Sequence, residues 1–226
     1  MITKNTKVSL FQTAQYVCNT IFHTLVVLVS VVMFHVFFNN FEKDAKRLWH
    51  IFLSSCAFVP LMAEGIVLMY DLNVWSLEIG RVQKAYLHGF LLSLSTIAIS
   101  VGILFETVSK AENGQEHFQT FHAVTGLISW ILAVVSIIFG LFVTYSHTLK
   151  NLIKPVILKF IHNYIGIVGY AVGILSLCLG LYYWGFSDFV KPNDQQATVG
   201  LVGIIGIWTV LGACKSLYYQ VKTIIT

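Results

Sequence analysis

The sequence predicts an all-α integral membrane protein with six transmembrane helices, the second to fifth forming a central four-helix bundle. Three observations predict it. Of 226 residues, 57% are hydrophobic and only 11% are charged, against about a quarter charged in soluble domains, and the mean hydropathy is +0.77. Six apolar runs, at about 11–38, 48–69, 85–105, 118–145, 160–187 and 197–221, each reach the ~20 residues a spanning helix needs. None of them shows the short alternating pattern of a barrel strand, and a helix satisfies its own backbone inside lipid.

The first run follows Lys4 and Lys7 and so imitates a signal peptide. It is too long for such a core and has no clear small-residue cleavage site, so it stands as the first span. Its His23 and His35 read as packing or interfacial polarity. The second run opens on LWHIFLS with His50 and contains Glu64 in mid-span. An ionised side chain there costs about 2.5–3.5 kcal/mol on insertion scales, so Glu64 is expected to be protonated or hydrogen-bonded inside the bundle. A structural polar contact and a proton-linked redox role both stay open for it. The third, fourth and fifth runs open on YLHGFLL, TFHAVTG and FIHNYIG, carrying His88, His122 and His162. His147 follows the fourth span and reads as solvated. Cys18, Cys56, Cys178 and Cys214 are scattered over different spans without a CxxC pair, which reads as buried structural thiols.

Basic residues orient the chain. With a cytosolic N-terminus, the cytosolic segments hold Lys4, Lys7, Arg81, Lys84, Lys150, Lys154, Lys159, Lys215 and Lys222, and the opposite side holds Lys43, Lys46, Arg47, Lys110 and Lys191. Nine against five favours both termini in the cytosol. The Lys43–Arg47 cluster runs against the rule. The net charge of +4 is spread over short membrane-flanking loops and points to no nucleic acid.

The four span-opening histidines are 38, 34 and 40 residues apart, one helix plus one loop each time. Consecutive helices alternate in direction, so the histidines sort into two pairs on opposite faces: His50 with His122, and His88 with His162. Two imidazoles from facing helices at one depth suit a haem iron with both axial positions filled. Two pairs imply two b-type haems. Ser54, Gly126 and Gly166 stand four residues after three of the ligands, on the same helical face, where a flat macrocycle needs a small neighbour. Zinc fits less well, because its sites gather about four ligands and these fall into twos. The whole of 1–226 then reads as one domain with a haem-binding core at about 48–187. Iron with two histidines has no open position, which favours electron transfer over oxygen chemistry, and no nucleophile–base constellation or phosphate-cradling loop competes.

These spaced histidines, with LHG in the third span and xHxxxG in the fourth and fifth, resemble the cytochrome b561 family over essentially the whole chain. The segments WHIFLSSCAFVPLMAEGIVLM and HFQTFHAVTGL are similar to its short branch, which has no attached dopamine-hydroxylase-like domain. The resemblance implies a six-span reductase with two b haems that takes electrons from cytosolic ascorbate. It implies delivery to monodehydroascorbate or a ferric chelate on the opposite side, in an endomembrane such as the endoplasmic reticulum or a vesicle. It allows a homodimer. For the ascorbate anion, Lys84 and Lys159 are the expected partners, each about one turn cytosolic of its histidine, with Arg81 and Lys154 a turn further out. His117, in the loop before His122, matches a histidine of the same branch and is the expected acceptor-side residue. The competing class is a non-enzymatic scaffold or transporter subunit, which a haem spectrum would exclude.

Overall fold

A computed structural model describes residues 9–71, 73–183 and 186–225. Lys4 and Lys7, counted above on the cytosolic side, lie outside them. Six helices are long and apolar enough to cross a membrane: α1 (Leu10–Asn40), α2 (Ala45–Val67), α3 (Arg81–Glu112), α4 (Phe121–Thr144), α5 (Pro155–Tyr183) and α6 (Pro192–Ile225). No strand occurs among the described residues. The helix ends depart from the apolar runs. α3 continues through Arg81, Lys84, Glu106 and Lys110, and α5 begins and ends earlier than the 160–187 expected. Hydropathy marks the part of a helix that lipid covers, whereas the helix itself continues into the polar interface.

Local chemistry sets several of the ends. Ser9 caps α1 by accepting from the Gln12 amide, while its own amide donates to Gln12 Oε1. Asp44 accepts from the Arg47 amide at the start of α2, and Thr120 from the Ala123 amide at the start of α4. Side-chain acceptors at these positions satisfy amides that have no intrahelical partner. α5 and α6 open on Pro155 and Pro192, where a missing N–H costs nothing. After α3 the chain turns at Gly114, which adopts φ +64°, the left-handed region glycine enters freely.

α2 pairs with α3 and α4 with α5, each antiparallel, and the two pairs face one another. α6 lies along α5, and α1 packs against both α2 and α6. The buried core concentrates where α1, α2, α5 and α6 meet, around Val29, Met33, Val59, Met62, Val202 and Ile205. In lipid there is no hydrophobic force between helices, so close backbone approach at small residues does this work. A Cβ on Gly206 would fall 2.6 Å from Ile174, and one on Gly173 would collide with Phe58. Within α2, Ala57–Ala63 is a π-helical segment with Pro60 inside it. Each such turn holds one residue more than an α-turn allows.

Each basic residue of the Lys43–Arg47 cluster has a polar partner close by, and two of the three are paired with carboxylates. Lys43 donates to Asn40 Oδ1 at 2.8 Å, Lys46 pairs with Glu112, and Arg47 pairs with Asp44 at 3.2 Å and Asp188 at 3.1 Å. These contacts join the start of α2, the end of α3 and the α5–α6 connection on one face, as alternating helices require.

Candidate functional site

Each of the four histidines points its Nδ1 at a backbone carbonyl of its antiparallel neighbour. His50 on α2 donates to Gly102 O on α3 at 3.0 Å, and His88 on α3 donates back to Gly65 O on α2 at 2.8 Å. His122 on α4 donates to Ser176 O on α5 at 2.8 Å, and His162 on α5 donates back to Ser136 O on α4 at 2.9 Å. A carbonyl can only accept, so Nδ1 carries the hydrogen and Nε2 keeps its lone pair. Hydrogen bonding of this kind behind the ring orients a metal-binding imidazole and raises its basicity.

The reciprocity comes from a repeated interval. Gly102 is 14 residues after His88, Ser136 is 14 after His122, and Ser176 is 14 after His162. In α2 the interval from His50 to Gly65 is 15, and the π segment Ala57–Ala63 lies inside it. The extra residue is absorbed there, which returns Gly65 to the register of the other three helices. At 1.5 Å per residue, 14 residues set the two histidine levels about 21 Å apart. The repeat is fuller in α4 and α5, which both carry His, Gly, Ser and Gly at relative positions 0, 4, 14 and 18.

Across the two helix pairs, His50 faces His122 with ring centres 5.9 Å apart, and His88 faces His162 at 6.1 Å. Two metal–imidazole bonds of about 2 Å, with the distance from each nitrogen to its ring centre, span roughly 6 Å. The paired rings therefore fit a single iron between them. Gly180 leaves the space beside His122, since a Cβ there would meet Cε1 at 2.6 Å. Gly140 does the same for His162 at 3.2 Å. A cavity between the first pair is lined by His50, Ser54, His122, Leu177, Gly180 and Leu181. Among the described residues no group of three or more His, Cys, Asp or Glu converges as a metal cluster.

Gly126 and Gly166, four residues after His122 and His162, also approach the hydroxyls of Ser176 and Ser136, which would lie 3.0 and 3.1 Å from an added Cβ. The ring-facing glycines, Gly140 and Gly180, come from the opposite end of the neighbouring helix. The identical spacing in α4 and α5 is the signal that would have found them. The cysteines also differ from expectation: all four are free, but Cys18 and Cys214 are exposed on the outer helices.

Around the centre, Lys84 and Lys159 sit four and three residues before His88 and His162 on the same helices. Neither side chain has an ion-pair or hydrogen-bond partner among the described residues. On the other face, Lys110 pairs with Glu106 at 3.9 Å. His117 is half-buried in the connection 113–120, with the Phe118 ring at 6.3 Å. His35 and His147 are exposed. His23 is more than packing: its Nδ1 lies 2.7 Å from Glu64 Oε1.

The sequence pattern of eukaryotic cytochrome b561 matches residues 49–187, which include all four of these histidines. The chain is 29% identical to transmembrane reductase CYB561D2 of Mus musculus over 178 residues, 78% of either chain. It is 30% identical to transmembrane reductase CYB561D2 of Bos taurus over the same share of both.

Proposed function

This chain belongs to the eukaryotic cytochrome b561 family, and from that premise we propose that it carries electrons from cytosolic ascorbate to monodehydroascorbate or a ferric chelate across the membrane. Membership makes it an integral, multi-pass transmembrane electron-transfer oxidoreductase that binds b-type haem, which displaces the expectation of a non-enzymatic scaffold or transporter subunit. The finer reading assigns one haem to His50 and His122 and a second to His88 and His162, within a single domain whose haem-binding core is about 48–187. Both termini face the cytosol of an endomembrane.

The observation that carries this reading is the set of four reciprocal Nδ1–carbonyl bonds, which leaves Nε2 free on two facing pairs of rings. Haem held by two imidazoles supplies one-electron chemistry without an open coordination position. The residues do the rest. Gly102, Gly65, Ser176 and Ser136 fix the ring orientations, so little has to rearrange between redox states. Gly140 and Gly180 keep the space beside two of the rings open. Unpaired Lys84 and Lys159, with Arg81 and Lys154 further out, raise the positive potential at the His88–His162 end and draw an anion such as ascorbate to it. His117 stands at the other end as the acceptor-side residue.

The test uses purified protein in sealed vesicles, with ascorbate held on the Lys84–Lys159 side and either acceptor on the other. The proposal expects acceptor reduction that depends on trapped ascorbate. No reduction, with the haems still reducible by dithionite, would overturn it.

A further inference from the structure

We propose that the His23–Glu64 pair is a proton-binding site that gains one proton whenever the His88–His162 centre gains one electron. The proposal rests on the assignment of that centre to haem. It begins from atoms that only accept. His23 Nε2 faces Asn73 Oδ1 at 2.9 Å and Asn19 Oδ1 at 3.1 Å. The orientation of Asn19 is set independently, because its Oδ1 also accepts from the Val74 amide at 2.8 Å. Nε2 must therefore carry a hydrogen. On the other side of the ring, Nδ1 lies 2.7 Å from Glu64 Oε1, a separation that needs a second hydrogen between them. The pair thus holds two protons and is neutral; with one proton fewer it carries a full negative charge.

That charge would be felt at the haem centre. Both side chains are only 17% exposed, and charges in such surroundings are weakly screened. Glu64 immediately precedes Gly65, whose carbonyl accepts from the His88 ring. An electron added between His88 and His162 favours the protonated, neutral pair, and its departure favours release. Glu64 Oε2 accepts from Trp75 Nε1 at 3.2 Å, a contact that favours the carboxylate form. A surface groove lined by Thr20, His23, Thr24, Val27, Val74 and Trp75 lies beside His23.

Tyr170 of α5 faces Glu64, and a phenol is neutral near physiological pH. From α6, Trp208 stacks on Phe22, and Tyr70 turns its hydroxyl to the Thr209 carbonyl. From α3 the facing group is His88 itself, beyond Gly65. The step balances. One electron arrives from a one-electron donor of the ascorbate class and one proton from water at that face. Both leave when the electron moves on, so no net proton crosses the membrane.

The experiment is a redox titration of the intact holoprotein, followed in the haem absorbance as a function of pH. In the parent protein the potential of the His88–His162 centre falls with rising pH, up to the tenfold per unit that equals about 59 mV for one electron. Glu64→Gln flattens that slope, leaves the His50–His122 centre unchanged, and removes a carboxylate band from the redox-difference infrared spectrum. A Glu64→Gln protein with both haems and the parental slope would overturn the proposal. If that variant does not fold, Trp75→Phe decides: losing a donor to the carboxylate must move the pH-dependent limb upward, and an unmoved limb refutes the idea. Absence of bis-histidine haem from the parent protein would instead refute the haem assignment beneath it.

Discussion

Deleting Pro60 should leave both haem centres intact, although it removes a residue from the middle of a membrane-spanning helix. A one-residue deletion rotates everything beyond it by about 100° and draws it back ~1.5 Å. On a backbone radius of ~2.3 Å this moves a carbonyl by roughly 4 Å, more than the 2.8 Å length of the His88–Gly65 hydrogen bond. In α3 that displacement is fully felt: deleting Ile97, between His88 and Gly102, takes Gly102 O away from His50. Loss of a partner behind a metal-binding histidine typically costs 10–100-fold in metal affinity. In α2 the same operation shortens the His50–Gly65 interval from 15 to 14 residues, the interval of the other three helices, and the π segment relaxes to α-helix. The assay is haem absorbance per mole of purified protein for the two deletions. Full haem content without Pro60 and reduced content without Ile97 are expected. Equal loss in both would show that the π segment does not serve as a register correction.

Other outcomes follow from the same geometry. His50→Ala or His122→Ala should remove one component of the reduced-minus-oxidised spectrum, and His88→Ala or His162→Ala the other; loss of the same component in His50→Ala and His88→Ala would break the pairing. Gly180→Ala should displace the His122 ring, whose Cε1 lies 2.6 Å from the added Cβ, and lower haem content at that face. Gly203→Ala, with open space around it, should not. Changing Lys84 and Lys159 together to Gln should raise the ascorbate concentration for half-maximal haem reduction and flatten its salt dependence, with dithionite reduction unaffected. His117→Ala should slow delivery to the far side while both haems stay bound, and haem loss there would count against its place in a loop.

Much of this was legible in the residues because the signals were local or strictly alternating. Six apolar runs announce six helices, and alternating helix direction is enough to sort His50 with His122 and His88 with His162. The carbonyl partners were not legible in the same way. Backbone acceptors carry no side-chain signature, and Gly65, Gly102, Ser136 and Ser176 each belong to the far end of a different helix from the ring they hold. The π segment hides for a related reason: AFVPLMA reads as an ordinary apolar stretch, and only the 15-residue interval against three of 14 exposes the extra residue. His23 was underestimated because its partners, Glu64 and Asn73, are distant in sequence and converge only when α1 packs on α2.

The central claim is that two facing pairs of histidines each hold one b haem, and the haem-to-protein ratio of the purified full-length chain tests it most directly. Dithionite reduction followed by carbon monoxide should show two b-type haems per chain, neither of which binds the gas, because both axial positions are filled by imidazole. One haem per chain, or a carbon monoxide-binding centre, would contradict it.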